Sequence, residues 1–292
     1  MHKRNRAPST DESTVKLGSP ESPHRVKKRK LLDSYVSESP FPEFPHPTPS
    51  EAYAVLDILS KAYPQYATAP VALDPKFASN SAATCGNTPN VIDSLIGTIL
   101  SQNTSGKNSS RAKASLDATF GNFAAIASSS REAVVEAIRQ GGLANKKAAT
   151  IQNLLKSIEQ RYGEYSLQHL AEAGEDGQKL SDEDIMKELT SYDGVGPKTA
   201  SCVLMFCLGR DSFAVDTHIF RISKVLGWIP SSADRILAQA HLDKRLPAEV
   251  KYGLHVLMIQ HGRTCKGCKK SGTTAACILK EFLKGIKASK SL

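Results

Sequence analysis

The sequence predicts an all-α fold, and three observations carry that expectation. Apolar residues recur at three-to-four spacing through most of the chain beyond residue 48, the arrangement that gives a helix one buried stripe. No segment shows the clear apolar–polar alternation of a half-buried strand. A Gly194-Val195-Gly196 turn followed by Pro197 stands between two such helical stretches, which is how a helix-hairpin-helix is punctuated.

Taken in order, residues 1–48 are rich in serine, proline and charge with little apolar periodicity. They bury too little to offset the entropy of ordering, and disorder is expected. Within them Arg25-Val26-Lys27-Lys28-Arg29-Lys30 is a compact basic cluster of the kind read by nuclear import receptors, or else a solvated basic tail; the nucleus is the location it points to. Helical patterning starts at Ser50, with Ala54, Leu56, Ile58 and Leu59. Residues 91–100 are apolar enough for a buried core helix. Their β-branched residues also permit a strand, and the helical spacing of the segments that follow decides for helix. Further helices are expected around residues 111–120, 133–139, 146–162 and 184–189. The Gly/Glu/Asp-rich stretch 173–179 reads as a loop, and Ser181-Asp182-Glu183-Asp184 resembles a capping box ahead of Ile185.

A chain of 292 residues with 40% hydrophobic content can bury one sizeable core or two smaller lobes. There is no apolar run of about 18 residues and no hydrophobic stretch behind the basic N-terminus, so neither a membrane span nor a secretory signal is expected. The six cysteines (Cys85, Cys202, Cys207, Cys265, Cys268 and Cys277) are then expected in a reducing compartment, as buried thiols or metal ligands in preference to disulfides. The net charge of +9 is uneven: residues 1–48 carry nine basic and six acidic side chains, residues 49–250 twenty and twenty-two, residues 251–292 nine and one. A basic end on a near-neutral body suits a polyanion, because each neutralised phosphate releases counterions. A solubilising tail accounts for the same charge.

The stretch most informative about chemistry is 189–204. A helix ends near Tyr192, the two glycines make a tight turn, and Pro197 opens a second helix at its first position. Glycines let the backbone approach something bulky, and the N–H groups that open the second helix form a phosphate site, so Gly194, Val195 and Gly196 are candidate contacts to a nucleic-acid backbone. A ligand-free turn between helices has the same sequence. Lys198 falls in the first turn of the second helix, where the dipole and partial burial disfavour its ammonium form and favour use as a nucleophile. Asp216 follows eighteen residues later, after an apolar helix and the Gly209-Arg210-Asp211 turn, so the returning chain can bring it beside Lys198. Asp216 is also placed to cap the helix that begins at Thr217.

The segment 194–221 resembles the active-site region of the helix-hairpin-helix, Gly-Pro-Asp superfamily of DNA glycosylases, on the endonuclease III branch, and the resemblance extends over roughly residues 50–265. It implies two helical lobes, one formed by both chain ends, with double-stranded DNA carrying a damaged or modified base in the groove between them. A monomer is expected, divided into a tail (1–48), a glycosylase domain (49–265) and a basic C-terminal segment (266–292). It further implies a glycosylase that is also an abasic-site lyase, with Lys198 attacking C1′ of a flipped nucleotide and Asp216 as its acidic partner. Gln102, in Leu100-Ser101-Gln102-Asn103-Thr104, corresponds to the glutamine that fills the gap left by the flipped nucleotide. Leu143, in Gly141-Gly142-Leu143-Ala144-Asn145, corresponds to the apolar tip that wedges into the duplex, and His218 is structural or phosphate-facing. A monofunctional glycosylase and a non-enzymatic helix-hairpin-helix DNA-binding module are the alternatives.

The C-terminus departs from the family pattern. Endonuclease III typically ends in four cysteines that hold a [4Fe-4S] cluster; here His261-Gly262-Arg263-Thr264 is followed by Cys265, Cys268 and Cys277 alone. Only a substitute such as His261 or a distant cysteine could complete the set. The expectation is therefore that no metal cofactor is held, with zinc ranked behind the cluster as an occupant.

Overall fold

The structure, a computed structural model, describes residues 38–66, 89–174, 177–268 and 275–289. The basic cluster at 25–30 and Cys85 lie outside these residues. Among the described residues there are helices and no strand, only an isolated bridge between Ala173 and Lys179.

Most of the helices start where the sequence supplies a cap. Helix α1 (Pro49–Ala62) opens on a complete capping box, the Thr48 side chain accepting from the Glu51 N–H while Glu51 accepts from the Thr48 N–H. Asn90, Ser105, Asn122 and Ser130 accept from the first turns of α2 (Val91–Ser101), α3 (Gly106–Phe120), α4 (Phe123–Ser128) and α5 (Arg131–Ala137). The stretch expected at 133–139 thus ends two residues early, where Arg139–Gly141 tightens into a 3-10 turn. Helix α6 (Ala144–Tyr162) follows, then α7 (Asp182–Ser191), capped by Ser181, and α8 (Pro197–Phe206). Asp216 caps α9 (Thr217–Leu226) and Asp234 caps α10 (Arg235–Arg245). The chain closes with α11 (Ala248–Thr264), a 3-10 turn at Lys266–Cys268 and α12 (Ile278–Ser289).

The apolar stripes assemble two main cores. One is built from α2 to α8, with Ile92, Leu95, Ile99, Ile151 and Val203 at its centre. The other joins Val55 and Leu59 of α1 to Phe213, Ile219, Trp228, Leu254 and Leu279, so the chain leaves this lobe after α1 and returns to it at Phe213. Where it crosses back, Cys202, Met205 and Ala214 form a small third cluster with Phe206 and Tyr252 packed against it. The all-α, two-lobed architecture read from the sequence is the one observed. No described helix is long and apolar enough to cross a membrane.

Candidate active site and metal centre

The crossing between the lobes is where the chemistry-bearing residues meet. Gly196 caps α8 without any side-chain hydrogen bond, and Pro197 occupies its first turn. Lys198 follows at once, half-buried. Asp216 caps α9 through Oδ1, which accepts from the N–H groups of His218 and Ile219, both at 2.8 Å. Two buried side chains lie close enough to Lys198 and Asp216 to feel both charges. Burial pushes the Cys202 thiol up; the Lys198 ammonium, which donates a hydrogen bond to it, pulls the other way, and the Asp216 carboxylate adds to the rise. The His255 imidazole is driven down to about 4, first by burial and then by the Lys198 charge, with Asp216 opposing. His255 Nδ1 bonds the Ala214 carbonyl at 2.9 Å, and its ring meets Phe206 and Phe213 edge-on. The site thus combines a lysine, a carboxylate and a neutral histidine.

The hairpin is shaped as much by the protein's own packing as by any ligand. Gly194 has φ +82°, and a Cβ there would lie 2.5 Å from Thr150 Cγ2 on α6. Its bulky neighbour is therefore α6. The Val195 side chain is buried in the α2–α8 core, so only its backbone is available to a phosphate.

Gln102 ends α2, half-buried, and its Nε2 donates to Thr199 Oγ1 at 3.4 Å, one residue beyond Lys198. Leu143 stands at the start of α6 in the left-handed region, φ 51° and ψ 33°, with 54% of its surface exposed. A bulky apolar residue held exposed in a disfavoured conformation marks a point where local stability has yielded to something else. Sequence reasoning missed what joins these two positions. Lys147, buried in the first turn of α6, donates to the Leu100 carbonyl at 2.7 Å and the Gly141 carbonyl at 2.8 Å, tying the Gln102 loop to the Leu143 loop. A lysine inside a helical stripe is the signal that could have revealed it.

Two further basic side chains, Lys251 and His218, make internal contacts. Lys251 is buried and donates to the Asp211 carbonyl at 2.8 Å, so it is not part of a phosphate-facing surface. His218 packs on Gly262, where a Cβ would meet the His218 Cβ at 2.7 Å, and its Nδ1 lies 3.3 Å from Arg221, which donates to the Gly262 carbonyl. Its contacts are structural, locking α9 onto α11.

The expectation of no metal cofactor is corrected here. His261, Cys265, Cys268 and Cys277 bring their ligand atoms within 4.8 Å of one another, three of the four residues being buried. The sequence count stopped at three cysteines; the fold adds the imidazole because His261, on the last turn of α11, faces the 3-10 turn that carries Cys268. Its Nε2 is 3.2 Å from Cys268 Sγ and 3.6 Å from Cys277 Sγ. Burial and then the Arg221 charge push the His261 imidazole down to about 4, which leaves it neutral and able to ligate.

An all-α chain whose hairpin and lysine-bearing helix meet a returning carboxylate at the seam of two lobes is of the helix-hairpin-helix class. Within that class the chain belongs to the HhH-GPD superfamily of base excision DNA repair proteins, whose family model matches residues 96–248. That span includes the hairpin, Lys198 and Asp216 and stops before the metal ligands. A protein of Arabidopsis thaliana that bears a provisional DNA-glycosylase name is 36% identical over 274 residues, covering 85% of this chain and 91% of that one. An endonuclease III of Sulfolobus acidocaldarius is 33% identical over 207 residues, covering 70% and 86%. A solved non-covalent endonuclease III–DNA complex superposes with a TM-score of 0.59 at 24% identity, over 83% of this chain and 99% of that one, which shows the shared fold. The chain is accordingly a base-excision DNA glycosylase of the endonuclease III family.

Proposed function

We propose that the protein is a bifunctional DNA glycosylase and abasic-site lyase on double-stranded DNA holding a damaged or modified base, with Lys198 as nucleophile and Asp216 as its acidic partner. The observation that supports this reading is the placing of both groups near the same two buried side chains: Lys198 donates to Cys202, and Cys202 and His255 feel both the lysine and the carboxylate. In the proposed reaction the neutral Lys198 amine attacks C1′ of the flipped nucleotide, and the bond from C1′ to the base breaks with its electron pair leaving on the base. Loss of a proton from the nitrogen and opening of the sugar give a Schiff base. Removal of a C2′ proton then expels the 3′ phosphate. The cap fixes Asp216 through Oδ1, and its second oxygen is not committed to that cap. A carboxylate so oriented stabilises positive charge developing at C1′ and can take the proton from Lys198.

Gln102 and Leu143 serve in this reading as the residues that fill the gap and wedge the duplex, supported by the exposure of Leu143 and by the link through Lys147. The uncapped start of α8 offers its N–H groups to a phosphate. The basic cluster at 25–30 is proposed as the nuclear address.

Borohydride reduction during reaction with duplex DNA containing an abasic site or an oxidised pyrimidine is expected to trap a covalent protein–DNA complex. Lys198→Ala should abolish trapping while DNA binding persists. Trapping that survives the substitution removes Lys198 as nucleophile; base excision with no trapped adduct makes the enzyme monofunctional.

A further inference from the structure

We infer that the His261, Cys265, Cys268 and Cys277 shell holds a single zinc ion in place of the [4Fe-4S] cluster implied by the family resemblance.

The separations decide between the two. A tetrahedral zinc with Zn–S of about 2.3 Å and Zn–N of about 2.0 Å sets its sulfurs ~3.8 Å apart and nitrogen and sulfur ~3.5 Å apart. The observed spacings are 3.2 Å between Cys268 and Cys277 Sγ, and 3.2 and 3.6 Å from His261 Nε2 to the same two sulfurs. All four ligand atoms fall within 4.8 Å. Changes of no more than about 0.6 Å bring the His261, Cys268 and Cys277 separations to those of a single-ion shell, and a Cys265 separation at the 4.8 Å limit closes by about 1 Å. A cubane cluster binds each ligand through a different iron at the outer corners of a cube, which spreads the ligand atoms to roughly 6 Å for every pair. Every pair in this shell would have to open by more than 1 Å from its 4.8 Å limit.

The surrounding structure opposes that opening. Gly267, next to Cys268, is pressed against the segment that carries Cys277: a Cβ there would lie 2.5 Å from the Ala275 carbonyl oxygen and 2.8 Å from Cys277 Cβ. Lys280 closes the same contact from α12 by donating to the Gly267 carbonyl at 2.8 Å. On the other side, Tyr63 at the end of α1 places its hydroxyl 2.9 Å from His261 Nδ1. With Nδ1–H donating to that hydroxyl, Nε2 presents its lone pair to the sulfurs, the outer-shell arrangement that orients a ligating imidazole. The donor set agrees, because three thiolates and one imidazole with no open position make a closed structural zinc site. The ion would staple α12 and the end of α11 beside Tyr63, and so fasten the chain's last helix to the lobe that α1 begins.

The test is metal analysis of the full-length protein, purified without oxygen from cells supplied with both iron and zinc. About one zinc per chain is expected, without acid-labile sulfide and without the broad visible absorption of an iron–sulfur cluster. Cobalt exchanged for zinc should give the intense visible bands of a tetrahedral site together with sulfur-to-metal charge transfer. His261→Ala should lower zinc retention against a competing chelator at least tenfold, and His261→Cys should restore it. Iron with stoichiometric sulfide, protein that carries no metal, weak octahedral cobalt bands, or full zinc retention by His261→Ala would each overturn the assignment.

Discussion

Gly194 shows how closely packing can fix a single position. Its φ of +82° is open to glycine at little cost, and the missing Cβ leaves room for Thr150 Cγ2. Gly194→Ala should destabilise the protein by about 2–4 kcal/mol, the sum of left-handed backbone strain and an overlap that α6 must relieve by shifting. Removing the overlapping atoms with Thr150→Ala in the same chain should recover part of that loss in urea unfolding, leaving the backbone contribution behind. Simple additivity of the two substitutions would show that they do not share a contact. Leu143 is the opposite case: apolar and left-handed, it keeps a disfavoured backbone conformation with more than half of its surface exposed.

At the scale of elements, Lys147 couples two loops that are far apart in sequence. Its ammonium is enclosed, burial pushes its pKa down, and it donates to the Leu100 and Gly141 carbonyls. Lys147→Met keeps much of the side-chain volume and leaves both carbonyls without this donor, at an expected cost of about 2–4 kcal/mol. Because Gln102 and Leu143 lie within two residues of those carbonyls, base excision measured well below the unfolding temperature should fall by at least tenfold. A folded variant with unchanged excision would mean that the loops hold their positions without the lysine.

For the whole molecule, His255 makes the seam between lobes sensitive to acid. It reaches from α11 to Ala214 and packs on Phe206 of α8. Its pKa falls from the ordinary 6.5 to about 4 in the fold. Between those values the unfolded chain holds a proton that the folded chain rejects, so stability rises with pH through the window and is lost as pH falls. One such histidine accounts for at most about 3 kcal/mol. His241, lowered by its burial, adds to the same slope. Unfolding free energies measured across this range should drop towards acid, and His255→Gln should flatten the drop. An equally steep curve in the variant would place the sensitivity elsewhere.

The sequence by itself determined the helices that carry strong periodicity and a cap, and the hairpin between α7 and α8. These follow from local rules: spacing, capping residues and glycine–proline punctuation act over a few positions and are written in the chain. Helices α10 and α11 were not legible in the same way, because their buried faces include polar residues, Gln239 and His241 in α10 and Lys251, His255 and His261 in α11, which interrupt the apolar stripe. Only the tertiary structure decided that Gly194 meets Thr150, that Lys147 joins two loops, and that a histidine completes a shell for which three cysteines were counted. Each is a contact between side chains or loops brought together by packing of the helices, and no local pattern specifies which of them will meet.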